Sequence, residues 1–153
     1  MRILVTGAGR AIGAATATVL TEAGHEVVAT ARNVELLDDL NVAMKLALDV
    51  TDEASIDACL AQAGPIDVLV NNAALGGSAP METFPLDHIR LMFETNTFGA
   101  VRMAQKVIPG MRERGHGVIV NISSINAWEA FPMRLAYCAA KAAVVAMTEV
   151  LAI

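Results

Sequence analysis

Aromatic side chains are scarce in this sequence: one tryptophan, one tyrosine and four phenylalanines make up 4% of it. The interior therefore has to be built from Ala, Val, Leu, Ile and Met. Hydrophobic residues reach 55% and mean hydropathy is +0.51. That composition suits a parallel sheet buried on both faces, whose strands read as continuous apolar runs. Long apolar runs are lacking as well, since none reaches the 18 or more residues that a membrane span requires. Basic runs are lacking too. The net charge is −5 and the pI about 5.1, which argues against nucleic acid or an anionic membrane as main partner. Cysteine is confined to Cys59 and Cys138, at no metal or redox spacing, and both read as small apolar residues in a reducing compartment, the lesser alternative being a reactive role for Cys138 beside Tyr137. His25, His88 and His116 are dispersed, so no metal site is expected and all three read as surface residues. No G-x-S-x-G elbow is present, which excludes the common serine-hydrolase arrangement. The first apolar run starts at Arg2 and leaves no room for a targeting leader, so the expected location is the cytoplasm.

What is present is an alternation of strand and helix patterns. A chain of 153 residues is most simply one domain, able to bury roughly 68–70% of its unfolded surface. Strands are predicted at 2–6, 26–30, 43–50, 66–72 and 117–123. Helices are predicted at 11–24, 34–40 and 52–64, with a long, mainly helical stretch over 85–114 and a terminal helix carrying "YCAAKAAVVAMTEVLAI". Gly24 and Gly64 mark helix ends. This rhythm implies βαβ units and a parallel sheet with right-handed crossovers.

Between the first strand and first helix stands "TGAGRAIG", residues 6–13. A glycine turn there lets a phosphate approach the backbone while the helix N-terminus points free N–H groups at it. The plainer reading is a tight turn that merely needs glycine. In such folds an acid about 20 residues past the turn selects NAD, whereas a nearby Arg accommodates a 2′-phosphate. Here the second strand ends "VVATARN", with no acid at its tip, and Arg32 and Arg10 supply two cations. NADP(H) is therefore expected over NAD, unless both arginines are merely solvated charges.

Tyr137 and Lys141 lie one helical turn apart and so share a face. A phenol titrates near pH 10 in water. It serves as a neutral-pH acid or base when a neighbouring cation in a dry cleft stabilises its anion. Ser124, in "NISS", lies thirteen residues before Tyr137, and Ser123 is its second-ranked neighbour. Asn96 and Gly99 interrupt the long helix, and a local kink is predicted because both are poor helix formers. Asn96 is either a site residue or only a polar residue of that kink. The segment "WEAFPMR", 128–134, is either a wall of a substrate pocket or ordinary loop packing. Met92, Met103 and Met111, at helical positions, read as core or subunit packing.

These motifs, in this order, resemble the short-chain dehydrogenase/reductase family over the whole chain. The turn is similar to that family's T-G-x-x-x-G-x-G, with Ala11 replacing the middle glycine. "NNAA" (71–74) resembles its N-N-A-G, with Ala74 for glycine, and Ala31 stands where the NAD-type acid falls. The resemblance implies an α/β, Rossmann-like doubly wound parallel sheet with about five strands present, residues 1–153 forming one NAD(P)-binding domain. It implies hydride transfer between a nicotinamide and a carbonyl or secondary alcohol. The implied catalytic set is Asn96, Ser124, Tyr137 and Lys141. The implied cofactor contacts are Gly7, Gly9, Arg10, Ala11, Ile12, Gly13, Arg32, Asp49, Val50, Asn72 and Ala73, together with Tyr137 and Lys141. Tyr137 protonates the carbonyl oxygen, Ser124 orients it, Lys141 holds the ribose, and Asn96 holds a water that joins the lysine to solvent. A homodimer or homotetramer through the long and terminal helices is implied. Family members carry two more strands, another helix and a mobile cover. Against that pattern the sequence reads as cut short in the helix of Tyr137 and Lys141, and the fifth strand is expected to be a long apolar edge. The alternative reading is an impaired nucleotide-binding or assembly module.

Overall fold

The computed structural model describes residues 1–152; Ile153, the end of the predicted terminal helix, lies outside the described residues. In chain order the elements are β1 (Arg2–Val5), α1 (Ala11–Glu22), β2 (Glu26–Ala31), β3 (Met44–Ala47), α2 (Glu53–Ala63), β4 (Val68–Asn71), α3 (Leu86–Phe93), α4 (Gly99–Arg114), β5 (Val118–Asn121) and α5 (Leu135–Leu151). The five strands form one parallel sheet in the order β3-β2-β1-β4-β5. The chain winds outward from β1 in one direction and from β4 in the other. The crevice between β1 and β4, at the strands' C-terminal ends, is thus the switch point where open α/β sheets bind ligands.

Alternation along the strands divides the core. Leu4, Val28 and Leu69 point to one face, where they pack with Ile56 and Cys59 of α2 and Met103, Val107 and Met111 of α4. Ile3, Val5, Val27, Ala29 and Val70 point to the other, against Ala17 of α1. Each fully buried Leu or Val contributes about 1.5–3 kcal/mol, and a one-residue slip would turn every one of them to the wrong face. Asp52 caps α2 by accepting the Ala54 N–H at 2.9 Å. The Lys106–Asp57 ion pair at 2.6 Å then joins α4 to α2.

Several predicted bounds contract. The helix at 34–40 is a single 3-10 turn over Val34–Leu37. The third strand stops at Ala47, so Asp49 and Val50 lie beyond it rather than at its end. The fifth strand pairs only from Val118 to Asn121, opposite Val68 to Asn71, so the outer edge of the described sheet is four residues long and not the long edge expected. The predicted kink is a turn of π-helix over Glu94–Phe98, between α3 and α4. Of the three histidines, His25 is half-buried, while His88 and His116 are exposed as expected. Met92, Met103 and Met111 are all core residues.

Candidate active site

A cleft of about 410 Å³ opens at the C-terminal ends of the strands, over the switch point, within the size range of small-molecule sites. Its lining includes Gly7, Gly9, Arg10, Ala11, Ile12, Gly13, Arg32, Asp49, Val50, Asn72 and Ala73. Eleven residues from four separate stretches of sequence thus meet on one surface. Thr6 fixes their arrangement: its hydroxyl donates to Val70 O at 3.2 Å and accepts the N–H groups of Asn72 and Ala73, each at 2.9 Å. The Asn72 amide returns two bonds, to Thr6 O at 2.9 Å and Gly7 O at 3.1 Å. The glycine turn is thereby bound to the end of β4.

Close approach demands glycine at two positions. Gly7 has φ +66°, and a Cβ there would lie 2.8 Å from Ala73 Cα. A Cβ on Gly13 would collide with Gly7 O and lie 2.6 Å from Asn72 Nδ2. Ala11 has φ 46°, a left-handed conformation that favours glycine. The alanine at this position therefore adds backbone strain as well as the single methyl anticipated from the sequence.

The lining carries two cations, Arg10 and Arg32, and one carboxylate, Asp49. Oδ1 of Asp49 is engaged locally, accepting from Thr51 N at 2.9 Å and Thr51 Oγ1 at 2.7 Å. Both arginines are exposed, and neither is ion-paired among the described residues. Asn33, Leu36, Leu48, Leu75 and Thr95 also line the cleft, and sequence reasoning did not name them. Leu75 directly follows "NNAA" and Thr95 directly precedes Asn96, so their neighbours carried the signal. Leu36 carried none, for it lies in the stretch taken for a helix.

Beneath the cleft a narrow cavity is lined by Thr6, Asn71, Asn96 and Lys141, and shares Val50, Ala73 and Thr95 with it. Lys141 is buried at 3% exposure and its ammonium donates to Ile122 O at 2.6 Å. Burial holds its pKa below the ordinary lysine value, because removal from water disfavours the charged form. Asn96 is spent structurally: its Oδ1 accepts from Leu75 N at 2.7 Å and its Nδ2 donates to Leu75 O at 2.9 Å. These bonds hold the loop after β4 against the π-turn, a motif frequent at functional sites. Thr97 donates to Ala140 O at 3.1 Å and joins the same turn to α5.

Tyr137 and Ser124 are half-buried and stand outside the lining of both spaces. Ser124 caps a 3-10 turn over Ile125–Ala127, accepting the Asn126 N–H at 3.2 Å. Ser123 donates to Lys141 O at 3.0 Å and so serves to dock α5. The guanidinium of Arg134 stands 6.0 Å from the centre of the Tyr137 ring. Trp128 and Phe131, in the segment before α5, are exposed. Met133 adopts φ 61° and accepts the Ala79 N–H at 3.0 Å, so this segment is tied to the loop after β4. Cys59 is buried in the core, where its thiol is pushed up to about 11. No helix is long and apolar enough to cross a membrane, and no group of three or more His, Cys, Asp or Glu side chains suited to a metal gathers among the described residues.

Comparison with known proteins agrees with this fold. The chain is 36% identical over 155 residues to a 3-ketodihydrosphingosine reductase of Bacteroides thetaiotaomicron, matching 99% of this chain and 57% of the relative. It superposes on the closed form of a serine dehydrogenase complexed with NADP+ at TM-score 0.92 and 36% identity, covering 99% of this chain and 65% of the other. It superposes equally well on a 3-ketoacyl-(acyl-carrier-protein) reductase from Brucella melitensis complexed with NADH, at TM-score 0.93 and 30% identity, covering 98% and 68%. The chain thus spans little more than half the length of the first of these relatives. The family model described as short chain dehydrogenase matches residues 1–153, and with the glycine cradle and the Tyr137–Lys141 helix on one end of the sheet, the chain belongs to the short-chain dehydrogenase/reductase family.

Proposed function

We propose that residues 1–153 form the nucleotide-binding and catalytic part of an NADP(H)-dependent oxidoreductase that interconverts a carbonyl and a secondary alcohol. The observation that carries this reading is the cleft itself: a glycine cradle with no room for a Cβ at Gly13, flanked by two arginines that pair with no carboxylate among the described residues. A dinucleotide pyrophosphate suits the cradle, at the N-terminus of α1. A 2′-phosphate, with charge near −2, suits Arg10 and Arg32, whose guanidiniums make charge-assisted bonds that a plain ribose hydroxyl cannot.

The nicotinamide supplies the hydride. Tyr137 gives its phenolic proton to the carbonyl oxygen during reduction and is reprotonated from solvent. The Ser124 hydroxyl donates to that same oxygen and stabilises the charge building on it. Lys141, fixed by Ile122 O, places a positive charge one helical turn from Tyr137 and reaches toward the ribose. Asn96 shapes the cavity that joins the lysine to the cleft. We place this protein in the cytoplasm and expect a homodimer or homotetramer through α4 and α5, which light scattering checks.

The test is a titration with NADPH and NADH, followed by turnover of NADPH with a panel of ketones and 3-oxoacyl thioesters. NADPH is expected to bind roughly tenfold or more tightly than NADH, one such charge-assisted contact being worth about 1.5–3 kcal/mol. Arg32→Asp removes that preference. Equal affinities with no effect of Arg32→Asp overturn the NADP assignment. Tight cofactor binding without turnover of any carbonyl supports a nucleotide-binding module in place of a reductase.

A further inference from the structure

We propose that Asn126 is a positioning residue for the reduction, acting by aiming the Ser124 hydroxyl and coupling it to the helix turn that carries Tyr137. The inference rests on the reductase reading above. Asn126 lies two residues beyond Ser124, in the short turn that Ser124 caps, and is buried at 9% exposure. It contacts Ser124 Oγ twice. Its backbone N–H donates to that oxygen at 3.2 Å, and its side-chain Oδ1 accepts the hydroxyl proton at 3.1 Å. The other end of its amide, Nδ2, donates to Cys138 Sγ at 3.7 Å. Cys138 directly follows Tyr137 on α5, so one buried amide joins the serine to the residue next to the proton donor.

These contacts divide the duties of the serine. A hydroxyl has one proton and two lone pairs. The backbone bond occupies one lone pair permanently and polarises the O–H. The proton rests on Asn126 Oδ1 until a substrate carbonyl arrives, and then turns toward it through a single rotation about Cβ–Oγ. Oδ1 thus keeps the hydroxyl in one resting orientation, and the Cys138 contact keeps Oδ1 from turning away. The Asn126 side chain touches neither space lined by the cofactor residues, so its influence is on the chemical step and not on cofactor affinity.

The experiment uses the protein as its gene encodes it, with the carbonyl of the panel above that is turned over fastest. Asn126→Ala is expected to lower kcat roughly 10- to 100-fold, the range for a misplaced catalytic group, with KM and NADPH affinity little changed. Asn126→Asp keeps the shape but holds the serine proton on a carboxylate beside an oxygen that turns anionic. It is expected to lower kcat further and to add an acid-side limb to the pH profile, activity recovering as the carboxylate is protonated. In a Ser124→Ala background, Asn126→Ala should cost almost nothing more, since its effect travels through the absent hydroxyl. A loss of the same size in that background shows a purely structural role and overturns the inference, as do unchanged kcat values in both single variants. If Ser124→Ala itself leaves kcat intact, the role of the serine fails and the inference falls with it. If Ser124→Ala is crippling and Asn126→Ala silent, the inference alone falls.

Discussion

At the N-terminal ends of the strands the charges are spent on one another, whereas at the C-terminal ends they are left open. Arg2 donates from its backbone to Asp67 at 2.7 Å, and from its guanidinium to Glu26 at 2.7 Å and Ala63 O at 2.9 Å. Arg114 closes on Ile66 O at 2.7 Å, and His116 stands 3.4 Å from Asp67. At the opposite end Arg10, Arg32 and Arg134 pair with no carboxylate among the described residues, and Ala11 and Met133 hold left-handed backbone. The difference separates two uses of the same residue type. Paired arginines fasten β1, β2 and α2 together. Unpaired arginines beside a glycine cradle leave their charge for a guest. Strain also concentrates on the open side, as it does at sites where surrounding structure holds a functional shape.

The strongest way to break this comparison is to remove one oxygen from the open end. Tyr137→Phe deletes the proposed proton donor and preserves the ring. Turnover is expected to fall roughly 10²–10⁴-fold, the usual share of a general acid, while NADPH affinity and melting temperature hold. If the variant keeps its turnover, the open end binds a nucleotide but Tyr137 does not act as the acid.

A paired exchange of small residues has the next largest effect. Gly13→Ala forces a methyl against Gly7 O and Asn72, and should cost about 1–3 kcal/mol of stability by overpacking, together with most of the NADPH affinity. Ala11→Gly, two residues earlier, should stabilise the fold by about 0.5–1 kcal/mol, because φ 46° suits glycine. Thermal melts with and without NADPH read both. Opposite signs from neighbouring positions are the signature of a turn shaped by backbone approach. The same sign from both would mean that general loop packing sets the effect.

The order of elements and the parallel sheet were legible because the strands are near-continuous apolar runs separated by amphipathic helices. The lining of the cleft was legible for a different reason. The glycine turn, Arg32 and Asn72 each follow a strand, so the topology alone brings them to one sheet end. Strand bounds were less legible, since ladder pairing is cooperative between neighbours. Leu48 and Val50 continue the apolar pattern of β3 although pairing stops at Ala47. Leu36 escaped because an exposed leucine in a one-turn helix has no periodicity to betray it. Asn126 escaped because its importance lies in two bonds to Ser124, and nothing in "SSIN" distinguishes an asparagine that accepts a hydroxyl proton from one that only closes a turn. The π-turn was foreseen as a kink, but the pair of hydrogen bonds by which Asn96 ties it to Leu75 depends on a contact across 21 residues.

The smallest expected effect belongs to the closed end and concerns pH. The Arg2 N–H holds the Asp67 carboxyl below the usual carboxylate range, with His116 adding to the shift. A carboxylate with a lowered folded pKa contributes stability above its unfolded value, about 3.9, and loses it as pH falls through the lowered folded value. Asp67→Asn should therefore melt a few degrees below the parent at neutral pH, and the gap should close in acid. The open end behaves differently. Lys141 has its pKa lowered by burial, so its charge burdens the fold at neutral pH and the burden is relieved as pH rises toward about 10.5. Melting curves of Asp67→Asn across the acid range, with NADPH affinity measured alongside, separate the two ends: stability should respond to Asp67 while affinity does not. An affinity that follows Asp67 would show that the fastening at one end of the sheet reaches the cleft at the other.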